Sequence, residues 1–454
     1  LQLDIVIVGA GLAGLASAYA LAASGHRVRV FEKSKVVSTV PGGIRIPPNG
    51  TKILDDWGLH DELVQKSAQV KSNSFIDMAI GELIGHTEWA HEMFKDSGGE
   101  FRCMRHEDLT QMLYRHAVAA GALFHFGARV NGVSPAPDID SSPSTPSIPR
   151  QSQLHPQPSI ILSDGQEILA DLVIGADGPR SLIRLVVDED AGDVREIETG
   201  TTLYTGVLDG KTMMGNEHLK KLINAHFPVW MGDGSMAVAF PIGRDNSYAM
   251  HVYSPEEWPE GALDWELVAS SNLRCDHLEP RVQSFLKNAK HLTRARWIER
   301  PPAEDWVDAS ERIILIGEAA HPLAPCEMHA GSGSLESAFV LSTLLSHLHS
   351  RSQLPSLLYA YQDLRSSRLA RLHQIEMDNH MYLGLRAGEG KEERDTTMRA
   401  ARLAAKNGAD ANAEADDDGE LDRQWGEMCE IWGYDARDDA EDWWVRWGLL
   451  RERA

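Results

Sequence analysis

Cysteine is scarce in this chain, basic residues are outnumbered, and long apolar runs are missing. The 454 residues hold four cysteines, Cys103, Cys275, Cys326 and Cys429, with no C-x-x-C spacing. That pattern gives no metal-site signal and fits a reducing compartment. Lys and Arg total 44 against 67 Asp and Glu, a formal net charge of −23. Nucleic acid and anionic membranes both attract basic surfaces, so neither is an expected partner. Much of the acid sits toward the C-terminal end and describes a tail more than a site. No apolar run is long enough to span a bilayer. The opening Leu1-Gln2-Leu3-Asp4 enters a strand at once and lacks the layout of a signal peptide. The expected location is cytoplasmic. What remains is ordinary globular composition, 43% hydrophobic and 24% charged, on a length that suits two or three domains.

Three stations stand out. Asp4-Ile5-Val6-Ile7-Val8 is a buried parallel strand by its unbroken apolar run. Gly9-Ala10-Gly11-Leu12-Ala13-Gly14 follows as G-x-G-x-x-G. Gly9 permits the tight turn, Gly11 the approach of a pyrophosphate, and Gly14 close packing of helix on strand. Helix Leu15 to Ala23 follows, and its N-terminal amides would hold the phosphates. A second strand, Arg27 to Phe31, ends at Glu32, placed to bind both hydroxyls of an adenosine ribose. The second station is Ala170 to Gly175, a strand leading into Ala176-Asp177-Gly178-Pro179-Arg180-Ser181. The third is the strand Arg312 to Ile316, then Gly317-Glu318-Ala319-Ala320-His321-Pro322-Leu323-Ala324-Pro325, then a helix through Leu335 to Leu341. A carboxylate at a strand's C-terminal end faces the crevice where open α/β sheets bind ligands.

Between the stations, Gly42 to Gly50 reads as a loop and Thr51 to Trp57 as a helix stopped near Gly58. A basic cluster at Arg102 leads into a helix with the body Asp108 to Leu113. Val133 to Ser159, rich in Pro and Ser, reads as a variable loop. Ser159 to Leu162 and Glu167-Ile168 read as a hairpin on a type I′ turn. From Thr199 to Tyr253, short alternating runs predict an antiparallel sheet that could roof a substrate cavity. Gly388 to Asp422 reads as a solvated helix pair or a partly disordered stretch. Trp425, Trp432, Trp443, Trp444 and Trp447 then read as packing anchors. The fold class is α/β: a Rossmann-like dinucleotide-binding domain, an inserted mostly antiparallel sheet and a C-terminal helical region. The expected dinucleotide-binding parts, FAD-binding on the resemblance described next, are 1–72, 101–190 and 301–350, the substrate parts 73–100 and 191–300, and the helical region 351–454.

GAGLAG with Glu32, DLVIGADGPRS and GEAAHPLAP together resemble the single-component FAD-dependent aromatic hydroxylases, the para-hydroxybenzoate hydroxylase-like monooxygenases. GGIRIPPNGTKILDDWGL, MRHEDLTQML, YAYQDLRSSRLARL and CEIWGYDARDDA place the chain closest to fungal salicylate-hydroxylase-like members. The resemblance spans nearly the whole chain. It implies FAD as cofactor and NADH or NADPH as electron donor. It also implies O2 and a small aromatic substrate as partners, with a monomer or homodimer as the assembly. It implies hydroxylation through a flavin C4a-hydroperoxide, with decarboxylation where the attacked carbon bears a carboxylate.

Carried over by position, the resemblance puts Gly9, Gly11, Gly14 and Glu32 at the ADP half of FAD, and Lys33, Gly43 and Arg45 join the cofactor-binding set. Asp177 and Gly178 serve FAD and the face where NAD(P)H works. Glu318 takes the place of the acid that holds the ribityl chain. Ala330, Gly331 and Ser332 offer amides to the isoalloxazine, and a basic group near the ribityl falls at Arg105 or His106. Pro325 sits where a proline carbonyl lies near the flavin's reactive carbon. Thr205 stands where some relatives carry a substrate-binding arginine. His321 suits packing of its loop better than proton handling. Tyr204, Trp230, Met236, Ala239 and Phe240 are the expected pocket, more apolar than in relatives that use small charged acids. No general base stands out; His226, His251, Tyr204, Tyr253 and His329 each suit a structural role better. Two departures mark the chain: Glu318 for the usual Asp, and Met328-His329-Ala330 for the usual G-Q-G. The alternatives are an epoxidase or oxidative cyclase on a prenylated or indole metabolite, and a non-catalytic FAD-binding protein. No metal is expected.

Overall fold

The structure, a computed structural model, describes residues 1–37, 42–89, 91–137, 157–188, 196–223, 227–258, 263–270, 278–289, 291–406 and 420–452, with single positions 192, 273 and 275. His226 and most of the stretch from Val133 to Ser159 lie outside these residues.

Parallel pairing builds the first sheet. Asp4–Val8 lies between Arg27–Glu32 and Leu172–Gly175, and Leu123–Phe126 and Ile313–Leu315 take the two edges. Both faces are covered, so Ile5, Val6, Ile7, Val173 and Ile314 have no exposed surface. Helix Leu12–Ala23 packs on helix Ala330–Ser346, and its alanines allow the two axes to approach. The register brings strand ends level: Val8 pairs with Gly175 and Phe31, and Gly175 with Leu315. All three stations therefore leave the sheet at one edge.

The second sheet has eight strands, ordered Trp265–Ala269, His291–Glu299, Ile197–Leu208, Tyr248–Pro255, Met236–Pro241, Pro228–Met231, Ser72–Asp77, Leu83–Glu88. Every neighbouring pair is antiparallel except Pro228–Met231 with Ser72–Asp77. Alternation divides its faces. Ala237, Ala239, Met250, Val252 and Trp230 join a core with Leu219, Leu222, Val282 and Phe285 from helices Glu217–Ile223 and Pro280–Asn288. Each such side chain contributes about 1.5–3 kcal/mol by leaving water. Val238, Phe240 and Ala249 face the other way, into the core of the parallel sheet.

Helix Leu354–Leu383 closes the molecule and points Arg365 and Arg368 inward at Glu336. Helix Glu389–Lys406 lies against edge strand Leu83–Glu88, tied by Arg399 to Glu82 at 2.9 Å. Among the C-terminal tryptophans, Trp432 is buried beside Trp89, Phe94 and Phe101, and Trp444 stacks on His347. Trp447 is exposed, so it is not an anchor.

Three local readings change. Gly43–Ile46 is a strand, paired with Arg102–Arg105, and the next helix begins at Pro48, where proline suits a first turn. Val130–Ser134 pairs with Ser159–Leu162, so both ends of the expected loop are strands. The hairpin forms, but only Gly165 takes a positive φ in its turn, and its N–H bonds Leu162 O at 3.0 Å. That is a type I turn followed by a left-handed glycine, not type I′. Among the described residues, no helix is long and apolar enough to cross a membrane.

Candidate functional site

Gly9 carries φ +103, and a Cβ there would stand 2.3 Å from Ala176 O, so the first and second stations touch through backbone. A Cβ on Gly14 would stand 2.1 Å from Gly9 O, while one on Gly11 would meet nothing within 4 Å. Gly11 caps helix Leu12–Ala23, whose first amides lack intrahelical acceptors. The loop is closed on its protein side and open over the helix N-terminus, the shape a pyrophosphate needs. Glu32 is buried at the end of its strand and accepts from Ala10 N at 2.8 Å and Ser34 N at 2.8 Å. Each oxygen keeps a lone pair for a hydroxyl. Lys33 beside it is exposed.

In the second station, Asp177 accepts from Leu182 N at 2.7 Å and Ser181 Oγ at 2.5 Å, and burial raises its pKa. It fixes its own turn. Gly178, at φ +87, leaves open space beside it.

The third station folds over the first helix: a Cβ on Gly317 would stand 2.6 Å from Ala13 Cβ. Glu318 follows in a short 3-10 turn. Solvent reaches its side chain, yet protein surrounds it, as for a group lining a cleft. Burial and nearby Glu327 push its pKa up to about 7. A carboxylate there, over the glycine loop, fits a ribityl hydroxyl. Further on, Tyr253 Oη donates to Pro325 O at 2.7 Å, and Arg45 Nη2 donates to Cys326 O at 2.6 Å. Cys326 sits at φ +59, left-handed for a residue with a Cβ.

Met328 is half-buried, and His329 is buried with its ring kept neutral, its pKa lowered to about 3 by burial. The N–H of His329 donates to Glu376 Oε1 at 3.0 Å. Ala330, Gly331 and Ser332 form the first turn of helix Ala330–Ser346, where amides have no intrahelical acceptor. His321 is buried, and burial with His373 nearby lowers its pKa to about 4. Of the two basic candidates, burial lowers His106 to about 4, and Arg105 stands 3.9 Å from Asp245.

The roof sheet meets the flavin half at Gly42–Gly43. A Cβ on Gly43 would stand 2.4 Å from Ala249 Cβ and Phe240 Cε2, and one on Gly42 2.9 Å from Thr205 Oγ1. Thr205 has no exposed surface and, among the described residues, its hydroxyl has no hydrogen-bond partner. Phe240 is sealed in the same contact and stacks on His251 at 5.2 Å. Tyr204, Trp230 and Ala239 are not brought here. They point to the opposite face, where Tyr204 Oη donates to Glu256 at 2.6 Å and Trp230 Nε1 to Glu279 at 3.2 Å.

Met236 alone of the expected pocket residues lines a cavity beside the Pro325 loop, of about 230 Å³. Tyr253, Trp297, Glu299, Met377 and His380 line it too. Tyr253 lies on the wall shared by cavity and loop. Its ring stands 4.7 Å from that of His380, and Trp297 4.6 Å from the same imidazole. Sequence reasoning missed Trp297, Glu299, Met377 and His380. The one available signal was register: Tyr253 is the cross-strand partner of both Met236 and Leu203.

Two arms of a dinucleotide cradle, a carboxylate over it and a cavity behind a clamped loop define a nucleotide-dependent enzyme of the two-domain flavoprotein kind. The FAD binding domain family model matches residues 2–376, so the chain belongs to that family. It is 25% identical over 404 residues to FAD-dependent monooxygenase OpS4 of Beauveria bassiana, covering 87% of this chain and 89% of that protein. It is 27% identical over 404 residues to 3-amino-4-hydroxybenzoate 2-monooxygenase of Streptomyces cremeus, covering 88% and 93%. Among solved structures, a salicylate hydroxylase substrate complex superposes with TM-score 0.71 at 19% identity, covering 97% of each chain. The protein is an FAD-dependent monooxygenase of the aromatic-hydroxylase type.

Proposed function

We propose that the chain takes electrons from NADH or NADPH and hydroxylates a small aromatic substrate of the phenolic or benzoic-acid type with O2, releasing CO2 where the attacked carbon bears a carboxylate. The observation that carries this reading is the cavity of about 230 Å³ that shares Tyr253 with the Pro325 loop. Bound FAD supplies hydride acceptance and oxygen activation; the protein positions it and keeps water out.

In this reading each residue has a role. Gly9, Gly11 and Gly14 would shape the pyrophosphate cradle, Glu32 would take the adenosine ribose, and Glu318 the ribityl chain. The first-turn amides of Gly331 and Ser332 would hold the electron-rich edge of the ring system. Asp177 holds the turn that carries Gly178. Arg45 and Tyr253 hold the carbonyls of Cys326 and Pro325. Trp297, Tyr253 and Met236 give the cavity its apolar wall.

The second reading, oxygenation of a larger apolar metabolite such as a prenylated phenol or indole, is favoured by the thioethers and aromatic rings of that cavity. One experiment tests both. Anaerobic flavin reduction by NADH and by NADPH is followed with and without phenols, benzoates and prenylated arenes, then products are identified after oxygen is admitted. Acceleration by an arene with a hydroxylated product is the expected result. If no arene accelerates reduction, the proposal fails.

A further inference from the structure

We propose that the cavity lined by Met236, Tyr253, Trp297, Glu299, Met377 and His380 selects an uncharged or cationic one- or two-ring arene bearing an O–H or N–H donor, which the Glu299 carboxylate accepts, and that it rejects aromatic carboxylates. This rests on the monooxygenase reading and narrows it to the phenolic arm, setting aside the benzoic-acid arm and the CO2 release that goes with it.

Size gives the first indication. A cavity of roughly 150 Å³ holds benzene, so about 230 Å³, open to solvent on the side of exposed Met381, seats one ring with substituents or two fused rings. The walls suit a flat apolar body. Tyr253, Trp297 and His380 present ring faces and edges to one another at 4.6 to 6.3 Å between centroids. Met236 and Met377 supply polarizable side chains that adapt to an irregular ring.

Charge gives the second. Among the described residues, no Lys or Arg lines the cavity. The imidazole in its described wall, His380, is neutral because burial, helped by Arg45, lowers its pKa to about 4. Three basic groups stand near. Arg45 keeps its charge while it donates to Cys326 O, but it already faces the buried carboxyls of Glu327 and Glu376. His373 stands 3.7 Å from Glu327. Arg386 is exposed at the rim beside Gly234, where water screens it. A bound carboxylate would thus give up hydration, meet only basic groups already faced by carboxyls or screened by water, and face the Glu299 side chain.

Glu299 gives the positive half of the argument. It is half-buried and lines the cavity; among the described residues it makes no side-chain hydrogen bond or ion pair at contact distance, and only the imidazole of His373 feels its charge from further off. Its neighbours Arg296 and Arg300 are instead engaged by Glu198, Asp264 and Glu196. An acceptor left open in an aromatic chamber fits a donor on the ligand. A phenol O–H or an indole or aniline N–H donating to a carboxylate also enriches its ring, which an electrophilic oxygen requires.

Calorimetry on the FAD-loaded protein tests this with three probes: indole, indene of the same shape without a donor, and benzoate. Indole is expected to bind at least about tenfold tighter than either other probe. Glu299→Leu should bring indole to the level of indene, with flavin content unchanged. Glu299→Gln, which keeps the side chain's size if the leucine variant fails to fold, should weaken indole and strengthen benzoate. Benzoate binding as tightly as indole, indole insensitive to both variants, or no heat from indole would each overturn the inference. These heats need no NAD(P)H and no turnover. A failure here therefore stands apart from failure of any arene to accelerate flavin reduction.

Discussion

The hydroxyl of Tyr253 donates to the carbonyl of Pro325 at 2.7 Å and lies 3.3 Å from the carbonyl of Cys326. Tyr253 comes from the roof sheet and Pro325 from the loop after the last parallel strand, so one bond joins the two halves of the site. Arg45 meets the same Cys326 carbonyl from the small sheet. Cys326 is held at φ +59, a conformation costing roughly 1 kcal/mol or more for a residue with a Cβ. Two donors on adjacent carbonyls offset that strain and fix where the loop's carbonyls point.

Tyr253→Phe should therefore loosen the loop and leave the ring packing intact. The variant is expected to lose about 1 kcal/mol of stability and to bind FAD nearly as before. NAD(P)H oxidation should shift toward hydrogen peroxide, because the loop carbonyls that the hydroxyl held are freed to move and admit water. Peroxide formed per NAD(P)H consumed is the measure. An unchanged ratio would show that the bond does not shape the site.

The glycine loop separates folding from cofactor binding. Gly11 has φ −73, ordinary for alanine, with open space around its Cβ position. Gly11→Ala should change the stability of the FAD-free protein by less than about 0.5 kcal/mol and weaken FAD by about tenfold or more, since the methyl stands where phosphate approaches. Gly14→Ala drives a methyl to within 2.1 Å of Gly9 O and should cost about 1–3 kcal/mol without any cofactor. Flavin fluorescence titration and chemical denaturation of both variants distinguish the effects. Equal behaviour in the two assays would refute the distinction.

The sequence was most legible where one residue type has one use. The runs at Asp4–Val8 and Leu172–Gly175 are buried strands, Glu32 ends its strand, and Glu318 stands three residues past the end of another, in a 3-10 turn. The pocket was less legible for a geometric reason. Tyr204 with Thr205, and Ala239 with Phe240, are sequence neighbours, and adjacent strand residues point to opposite faces. Both members of either pair could not line one cavity. Which parity faces inward depends on Gly42 and Gly43 closing on Thr205, Phe240 and Ala249, a contact between distant segments. His380 and Met377 come from a helix more than a hundred residues past the roof strands, and no local pattern links them to it.

Glu336 anchors helix Ala330–Ser346, whose first turn is the one proposed to meet the flavin. It has no exposed surface, takes Arg365 Nη2 at 2.8 Å and Arg368 Nη2 at 3.1 Å, and also accepts from Asn49 Nδ2 at 2.7 Å. Burial alone would raise its pKa, but the two guanidiniums and Asn49 outweigh this and hold it at about 2. Glu336→Gln leaves two arginines without a counter-charge and should cost about 3–5 kcal/mol. Urea midpoints would register it. A loss below about 1 kcal/mol would mean that water or Tyr434 relieves the arginines.

Glu376 predicts an opposite pH response. Its carboxylate is buried, faces Glu327 and Arg45, and accepts from the His329 N–H. Burial first, then Glu327, raise its pKa to about 8, well above its unfolded value. A raised folded pKa contributes stability that is fully present below the unfolded value and is lost as pH rises through about 8. Glu376→Gln keeps an acceptor for His329 and removes the charge. The variant should match the wild type near pH ~4 and exceed it by about 1 kcal/mol or more near pH ~9. Denaturation curves across that range test the sign. A wild type that gains on the variant as pH rises would show that Glu376 is ionised in the folded protein at neutral pH, held by Arg45 against the repulsion of Glu327.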